Sequence, residues 1–403
     1  MMDLKEYQFE HIMNGFFDGP HATPAPSSKG PVFLGIKNIR ESGGIDFANI
    51  RHISEKDFPK WTKRVTPREG DIVFSYEATL HRYALIPKGF HGCLGRRMAL
   101  IRLDPKLTDN KFLYYYFLSP YWKAFVEANK ISGATVDRIS IIDFPKYKIQ
   151  LPALSAQKEI ASMISAYDKL IDNNNQRIAL LEQMAEEIYK EWFVRLRFPG
   201  HDQTRIVDGL PGGWLNGKLG EVVSINMGQS PKSEFYNDKG DGLPFHQGVT
   251  DFGNRFPEHK THCTDRKKIA EEDDILLSVR APVGRLNIAD RKIIIGRGLS
   301  AIRHKTNCQS YCYYLLRNTF QIEDSFGNGA VFNAVSKTDI NNIKIIVPDA
   351  EIITRFNELA EPIDKEIQLL ERKNKILKQT RDLLLPRLIS GKLSVEHLQE
   401  TDN

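Results

Sequence analysis

The segment "SGATVDRISIIDFPKYKIQLP", Ser132 to Pro152, returns far down the chain as "NGAVFNAVSKTDINNIKIIVP", Asn328 to Pro348. One offset of 196 pairs Gly133 with Gly329, Ala134 with Ala330, Ser140 with Ser336, Asp143 with Asp339, Lys148 with Lys344, Ile149 with Ile345 and Pro152 with Pro348. Upstream, "DIVFSYEATLHR" (Asp71 to Arg82) matches "DILLSVRAPVGR" (Asp274 to Arg285) at 203, and "GRRMALIR" (Gly95 to Arg102) matches "GRGLSAIR" (Gly296 to Arg303) at 201. Gly15 and Gly35 fall opposite Gly228 and Gly248 at 213. The block order never changes, so the chain is a repeat of itself, with slightly longer loops in the first copy.

Within each copy, "DIVFSY", "MALIRL" and "YKIQLP", and their partners "DILLSV", "SAIRH" and "IKIIVP", are short β-branched and aromatic runs between Gly, Pro and Asp signals, which predicts strands. "DNKFLYYYFLSPYWKAFVEAN" and "CQSYCYYLLRNTFQIED" carry aromatics at three- and four-residue spacing and predict helices whose rings pack in a core. "FPGHDQTRIVDGLPGGW", Phe198 to Trp214, has the composition of a linker.

A long helical segment follows each of Pro152 and Pro348. In the first, Ile160, Ile164, Tyr167, Ile171, Asn174, Ile178, Leu181, Ala185, Ile188 and Trp192 alternate at four and three residues, the seam of a coiled coil. The second seam runs Phe356, Ala360, Ile363, Ile367, Leu370, Asn374, Leu377, Arg381, Leu384 and Leu388. Each holds one asparagine, and the two are not repeat-equivalent. Parallel packing in register would set Asn174 against Leu370 and Asn374 against Ile178, leaving two buried amides unpaired at roughly 1–3 kcal/mol each. In antiparallel packing, with facing numbers summing to 548, Asn174 meets Asn374, so an antiparallel pair is predicted. Asp172 to Asn175 is poor helix material, Arg381 sits on the seam, and Pro362 and Pro386 should kink or start a helix. About 33 residues per helix would hold the two domains roughly 50 Å apart, a spacing and dyad that suit duplex DNA.

The 403 residues suit two domains of roughly 150 residues plus connecting elements. With 41% apolar and 27% charged residues the composition is globular, and a formal charge of +5 is compatible with a polyanionic partner. No run of 18 apolar residues exists, and "MMDLKEYQFE" lacks the layout of a secretory signal, so a cytoplasmic location without membrane contact is expected. Cys93, Cys263, Cys308 and Cys312 form no C-x-x-C pair, and their spacing with His259 and His262 fits no zinc pattern, so no metal is expected.

These features together resemble the specificity (S) subunit of type I restriction-modification systems across essentially the whole chain. The resemblance rests on "SGATVDRISIIDFPKYKIQLPALSAQKEI", "IKIIVPDAEIITRF", the helices "YDKLIDNNNQRIALLEQMAEEIYKEWF" and "IDKEIQLLERKNKILKQTRDLLLPRLISGKL", and the domain entry "LPGGWLNGKLGEVV". The amino terminus "MMDLKEYQFEHIM" departs from it, lacking an entry like that at Trp214. The resemblance implies an α+β fold: two homologous mixed α/β target-recognition domains separated by two long antiparallel coiled-coil helices, with pseudo-two-fold symmetry. The predicted layout is domain 1 at 1–152, first spacer helix region 153–197, linker 198–213, domain 2 at 214–348 and second spacer helix region 349–395. It further implies that each domain reads half of a split, asymmetric site in double-stranded DNA. Two methyltransferase (M) subunits and restriction (R) subunits would dock to the chain. S-adenosylmethionine, ATP and Mg would belong to those partners and no cofactor to this chain.

Motifs for in-chain catalysis are missing. No Asp/Asn-Pro-Pro-aromatic tetrapeptide of an adenine-N6 methyltransferase occurs. "GGWLNGKL" approaches a phosphate-binding loop, but Leu219 stands where Ser or Thr belongs. Asp349 and Glu351 suit a helix start better than a nuclease site. A self-contained DNA-modifying enzyme, a coiled-coil scaffold and a single-domain DNA-binding module are the competing classes.

Arginine and lysine contact phosphates and guanine edges, and asparagine and glutamine suit adenine. Arg82 with Arg285, and Arg96 with Arg297, recur at equivalent positions and are expected to face phosphates, with intradomain ion pairs as the competing role. Base readers should differ between copies. The candidates are Lys37, Asn38 and Arg40 in the first, Gln247, Asn254 and Arg255 in the second, with Ser132, Thr135, Asn328 and Asn333 from the loop before the repeated strand. Arg177, Lys373, Lys375 and Lys378 flank the seam as solvated helix charges.

Overall fold

The computed structural model describes residues 3–133, 136–320 and 334–393. The chain divides into two units, one comprising Met1–Asn174 with Arg372–Asn403 and the other Asn175–Glu371, so the division falls inside both long helices.

In the first unit a four-stranded antiparallel sheet runs in the order Met13–Asp18, Met98–Leu103, Ile72–Ser75, Tyr83–Leu85. Beside it, Ser27–Leu34 pairs antiparallel with Arg51–His52 and parallel with Gly92–Leu94. Lys5–Gln8 pairs with Lys148–Leu151, Lys5 opposite Leu151.

The second unit repeats the plan. Its antiparallel sheet is ordered Val223–Met227, Leu299–His304, Ile275–Ser278, Leu286–Ile288. Leu243–His246 runs parallel to Ile293–Ile295, and Leu215–Lys218 pairs with Lys344–Val347, Leu215 opposite Val347. Leu151 and Val347 lie 196 apart, so Lys5–Gln8 is the entry strand of the first copy even without a tryptophan before it. Trp214 serves the second entry by stacking on Phe198 with ring centroids 5.1 Å apart. "GGWLNGKL" is therefore a domain entry rather than a phosphate loop.

All six repeated runs form the strands the sequence predicts. One alignment is corrected. Gly19 N–H donates to Met98 O and Gly228 N–H to Leu299 O, each just past the first strand of its four-stranded sheet, so the partner of Gly228 is Gly19 and not Gly15. A Cβ on Gly19 would run into the Gly95 carbonyl, and one on Gly228 into the Gly296 carbonyl, so both positions need glycine for close backbone approach.

The first aromatic segment is two helices, Asn110–Leu118 and Pro120–Asn129, because Pro120 has no N–H to continue the first; Ser119 caps the second through Trp122 N–H. Phe112, Tyr115, Tyr116 and Phe117 are buried, as are Tyr311, Tyr313 and Tyr314 of Gln309–Thr319, so the rings are core.

The long helices are Leu154–Tyr189 and Ala350–Ile389. Contrary to expectation, Asp172–Asn175, Pro362 and Pro386 all lie within them. Buried residues flank each proline, Ala360 and Ile363 about Pro362, Leu385 and Leu388 about Pro386, and this tertiary packing outweighs the lost backbone bond. Within the first unit, Asn174 bonds Asn374 and Asp168 bonds Arg381. Moving back six residues on one helix moves seven forward on the other, which makes the pairing antiparallel. Ile171 is buried and Leu377 half-buried there. In the second unit Ile178, Ile367 and Leu370 join one apolar cluster, with Leu181 packed against it. Asp349 accepts the Glu351 N–H at 2.8 Å, the helix-start role expected of it.

Candidate nucleic-acid interface

In each unit, turns from separate strands are sewn together by backbone hydrogen bonds at one end of the sheets. In the first, Gly19 N–H donates to Met98 O, Gly95 N–H to Leu34 O and Tyr76 N–H to Arg97 O, while Ile139 N–H donates to Tyr76 O. In the second, Gly228 N–H donates to Leu299 O, Gly296 N–H to His246 O, Val279 N–H to Gly298 O and Val335 N–H to Val279 O. The repeated blocks thus build the same platform twice, and the loops that leave it differ in sequence between the copies.

Each unit also holds a buried aspartate paired with a partly buried arginine, which the repeat marks without explaining. Asp71 accepts from Arg102 Nη2 at 2.7 Å and from Arg68 N–H at 2.8 Å; Asp274 accepts from Arg303 Nε at 2.6 Å and from Glu271 N–H at 2.8 Å. Burial raises the Asp274 carboxyl above its usual range despite Arg303.

Lys37, Arg40, Arg96 and Ser132 are exposed, as are Gln247, Asn254, Arg285 and Arg297. Arg96 sits in the turn entering Met98–Leu103 and Arg297 in the turn entering Leu299–His304, and neither makes an ion pair with a described residue. Gln247 and Arg297 are brought together by Ser230, which sequence reasoning passed over. Ser230 Oγ donates to Gln247 Oε1 at 2.8 Å and accepts the Arg297 N–H at 3.2 Å. Its only signal was position, two residues past Gly228. Arg82 is half-buried, 3.8 Å from Glu41, so the intradomain ion pair weighed against a phosphate role is present. Thr135, Asn328 and Asn333 lie outside the described residues.

Two candidates are corrected. Asn38 is buried and serves its own turn, accepting Gly35 N–H at 3.1 Å and donating to Asn49 O at 3.3 Å. Arg255 is fully buried, pairs with Asp364 through Nη2 and lies 4.3 Å over the Tyr313 ring, so neither residue presents a free donor to a base edge. Two exposed arginines were missed. Arg138 bridges Glu77, and Arg280 bridges Ala334, at equivalent places, so the cation sits on opposite strands of the same bridge in the two copies.

Next to Gln247 in sequence, His246 begins a chain of polar groups that, among the described residues, the first unit does not repeat. Buried His246 Nε2 is 3.0 Å from His259 Nδ1, and His259 Nε2 is 2.7 Å from Asp290 Oδ1. Burial, then neighbouring His259, pushes the His246 imidazole down to about 4. The four cysteines are buried and free, and no His/Cys/Asp/Glu group among the described residues could hold a metal. No helix among those residues is long and apolar enough to cross a membrane.

The fold is one of duplicated α+β units, each with the same glycine-turn platform, and comparison with known proteins identifies the family. The chain belongs to the type I restriction modification DNA specificity family, whose domain matches it twice, over residues 25–183 and 211–379. A Methanocaldococcus jannaschii protein, named by inference as the MjaX type I restriction enzyme specificity subunit, is 32% identical over 358 residues, covering 86% of this chain and 83% of the relative. The HindI specificity subunit of Haemophilus influenzae is 22% identical over 476 residues, covering 98% of this chain and all of its own. The crystal structure of the type I system S subunit from M. genitalium shares the fold, with a TM-score of 0.64, 16% identity and 96% of each chain covered.

Proposed function

We propose that this chain reads a two-part, asymmetric sequence in duplex DNA, one half per unit, and docks the modification and restriction subunits of a type I complex. The observation that carries the reading is the twice-built platform: its backbone bonds repeat, whereas the exposed side chains of the loops that leave it, Lys37 and Arg40 after Leu34 and Gln247 and Asn254 after His246, do not. A common scaffold with unlike readers suits two unlike half-sites. Arg96 and Arg297, alike in both copies, suit phosphates, which carry no sequence information.

Docking is supported by the outer face of the long helices. Leu170, Ile376 and Leu383 are exposed in the first unit, and Leu180, Met184, Leu359 and Leu369 in the second. All are off the seam, and apolar exposure at this density favours burial against partner helices. Adenine methylation, ATP hydrolysis and cleavage belong to those partners, together with S-adenosylmethionine, ATP and Mg; this chain contributes recognition, within the cytoplasm.

Mapping methylated adenines across the host genome, with and without this gene, tests the reading. A bipartite motif that disappears with the gene is the expected result, and methyl transfer by the isolated chain would contradict it.

A further inference from the structure

We infer that Arg255 is a positioning residue, a clamp that fixes the Gly253–Glu258 loop of the second unit to the long helix and thereby sets how Asn254 is presented. The inference rests on the DNA-reading function proposed above.

Asp168 and Asp364 occupy repeat-equivalent places on the two helices, and each accepts a tyrosine hydroxyl from the adjacent aromatic helix, Tyr115 at 2.6 Å and Tyr314 at 2.9 Å. The cations differ in origin. Asp168 is served by Arg381 Nη1 at 2.6 Å, from the other long helix. The repeat-equivalent of Arg381, which falls in the second unit, is Ala185, wholly buried and unable to supply charge. Arg255 reaches Asp364 instead, from a loop.

That loop is otherwise lightly tied. Asn287 Nδ2 donates to Gly253 O at 3.1 Å, Ile288 N–H to Arg255 O at 2.8 Å and Glu258 N–H to Asp251 O at 2.8 Å. Arg255 supplies its only side-chain anchor to the helices among the described contacts, and Asn254 next to it is exposed. Asn254 and Arg285 open onto one cavity of about 550 Å³. The first unit covers the same tyrosine pair differently: Gly43 backs directly onto the Tyr114 hydroxyl, and among the described residues no loop arginine is buried there.

The clamp is poorly optimised for stability alone. Nε and Nη1 of Arg255 have no hydrogen-bond partner among the described residues, and Glu182 stands 3.9 Å from Nη1, too far to accept. Burial opposes the charge, yet Asp364, helped by Tyr313 and Tyr314, holds the guanidinium pKa above its ordinary value. A buried, partly satisfied ion pair gives direction rather than strength, which is what an aimed loop needs.

The test selects bound sequences from a pool of randomised duplex DNA with the full chain, unaltered and carrying Arg255→Met, Arg255→Lys, Asp364→Asn, or Arg255→Met with Asp364→Leu. Arg255→Met and Asp364→Asn are expected to lower base discrimination in one half of the enriched motif by about tenfold, the scale of one well-aimed side chain, and leave the other half unchanged. Arg255→Lys restores most of it. Should Arg255→Met fail to fold, the double variant, with no charge left buried, carries the same expectation. Unchanged discrimination, or equal loss in both halves, overturns the inference. A wild-type chain that enriches no two-part motif overturns the functional reading, and the inference with it.

Discussion

Asn174 Nδ2 donates to Asn374 Oδ1 at 2.8 Å, an amide pair closed across the seam of the two long helices. Two hundred residues of chain separate these side chains, and the bond fixes both the direction and the register in which the helices meet.

Changing one partner removes the cross-helix bond from the other amide, buried in the case of Asn374 and half-buried in that of Asn174. Asn174→Leu and Asn374→Leu are each expected to cost about 1–3 kcal/mol, and the double change to recover most of that loss. A double-mutant cycle by chemical denaturation checks it; additive losses would mean that the amides are solvated rather than coupled.

The Asp71–Arg102 pair of the first unit predicts a larger effect. Asp71→Asn keeps the shape but removes the charge facing a partly buried guanidinium, at a cost of ~3 kcal/mol. Thermal unfolding of the variant measures it, and a loss within a few tenths of a kcal/mol would show that the pair is immaterial.

The antiparallel direction of the long helices was legible in the sequence, because Asn174 and Asn374 meet in that packing and face aliphatic residues in the parallel one. The strands were legible for a similar reason, since each run appears twice between turn signals. Arg255 and Asn38 were not legible. Both lie in glycine-bearing loops with the composition of a binding surface, but whether a loop side chain turns outward is decided by tertiary partners: Asp364 lies 109 residues from Arg255, and Asn38 folds back on Gly35 and Asn49. The continuous helix through Pro362 and Pro386 escaped for the same reason, because packing on both sides of each proline overrode local propensity.

His246 makes the second unit acid-sensitive. Its imidazole is held at about 4 against an ordinary 6.5, so below 6.5 the unfolded chain takes up a proton that the folded chain refuses. Stability is flat above about pH 6.5 and falls as pH drops towards 4, by roughly 3 kcal/mol at the limit. His246→Leu, which installs the residue found at Leu34 of the first copy, removes most of this slope; His304, also held low by burial, keeps a remainder. Denaturation midpoints at pH 7.5 and 5 compare the two, and parallel shifts would assign the slope elsewhere.

Arg297→Ala is expected to weaken binding of every duplex alike and to reduce the slope of log affinity against log salt by about one. Anisotropy titrations at several salt concentrations report both. A change in sequence preference with the slope intact would make Arg297 a base reader.

The most direct measurement maps methylated adenines in cells whose complex carries Arg40→Ala or Gln247→Ala. Independent recognition by two like-built units predicts a bipartite motif in which Arg40→Ala alters one half only and Gln247→Ala only the other. A contiguous motif, or both substitutions altering the same half, would contradict it.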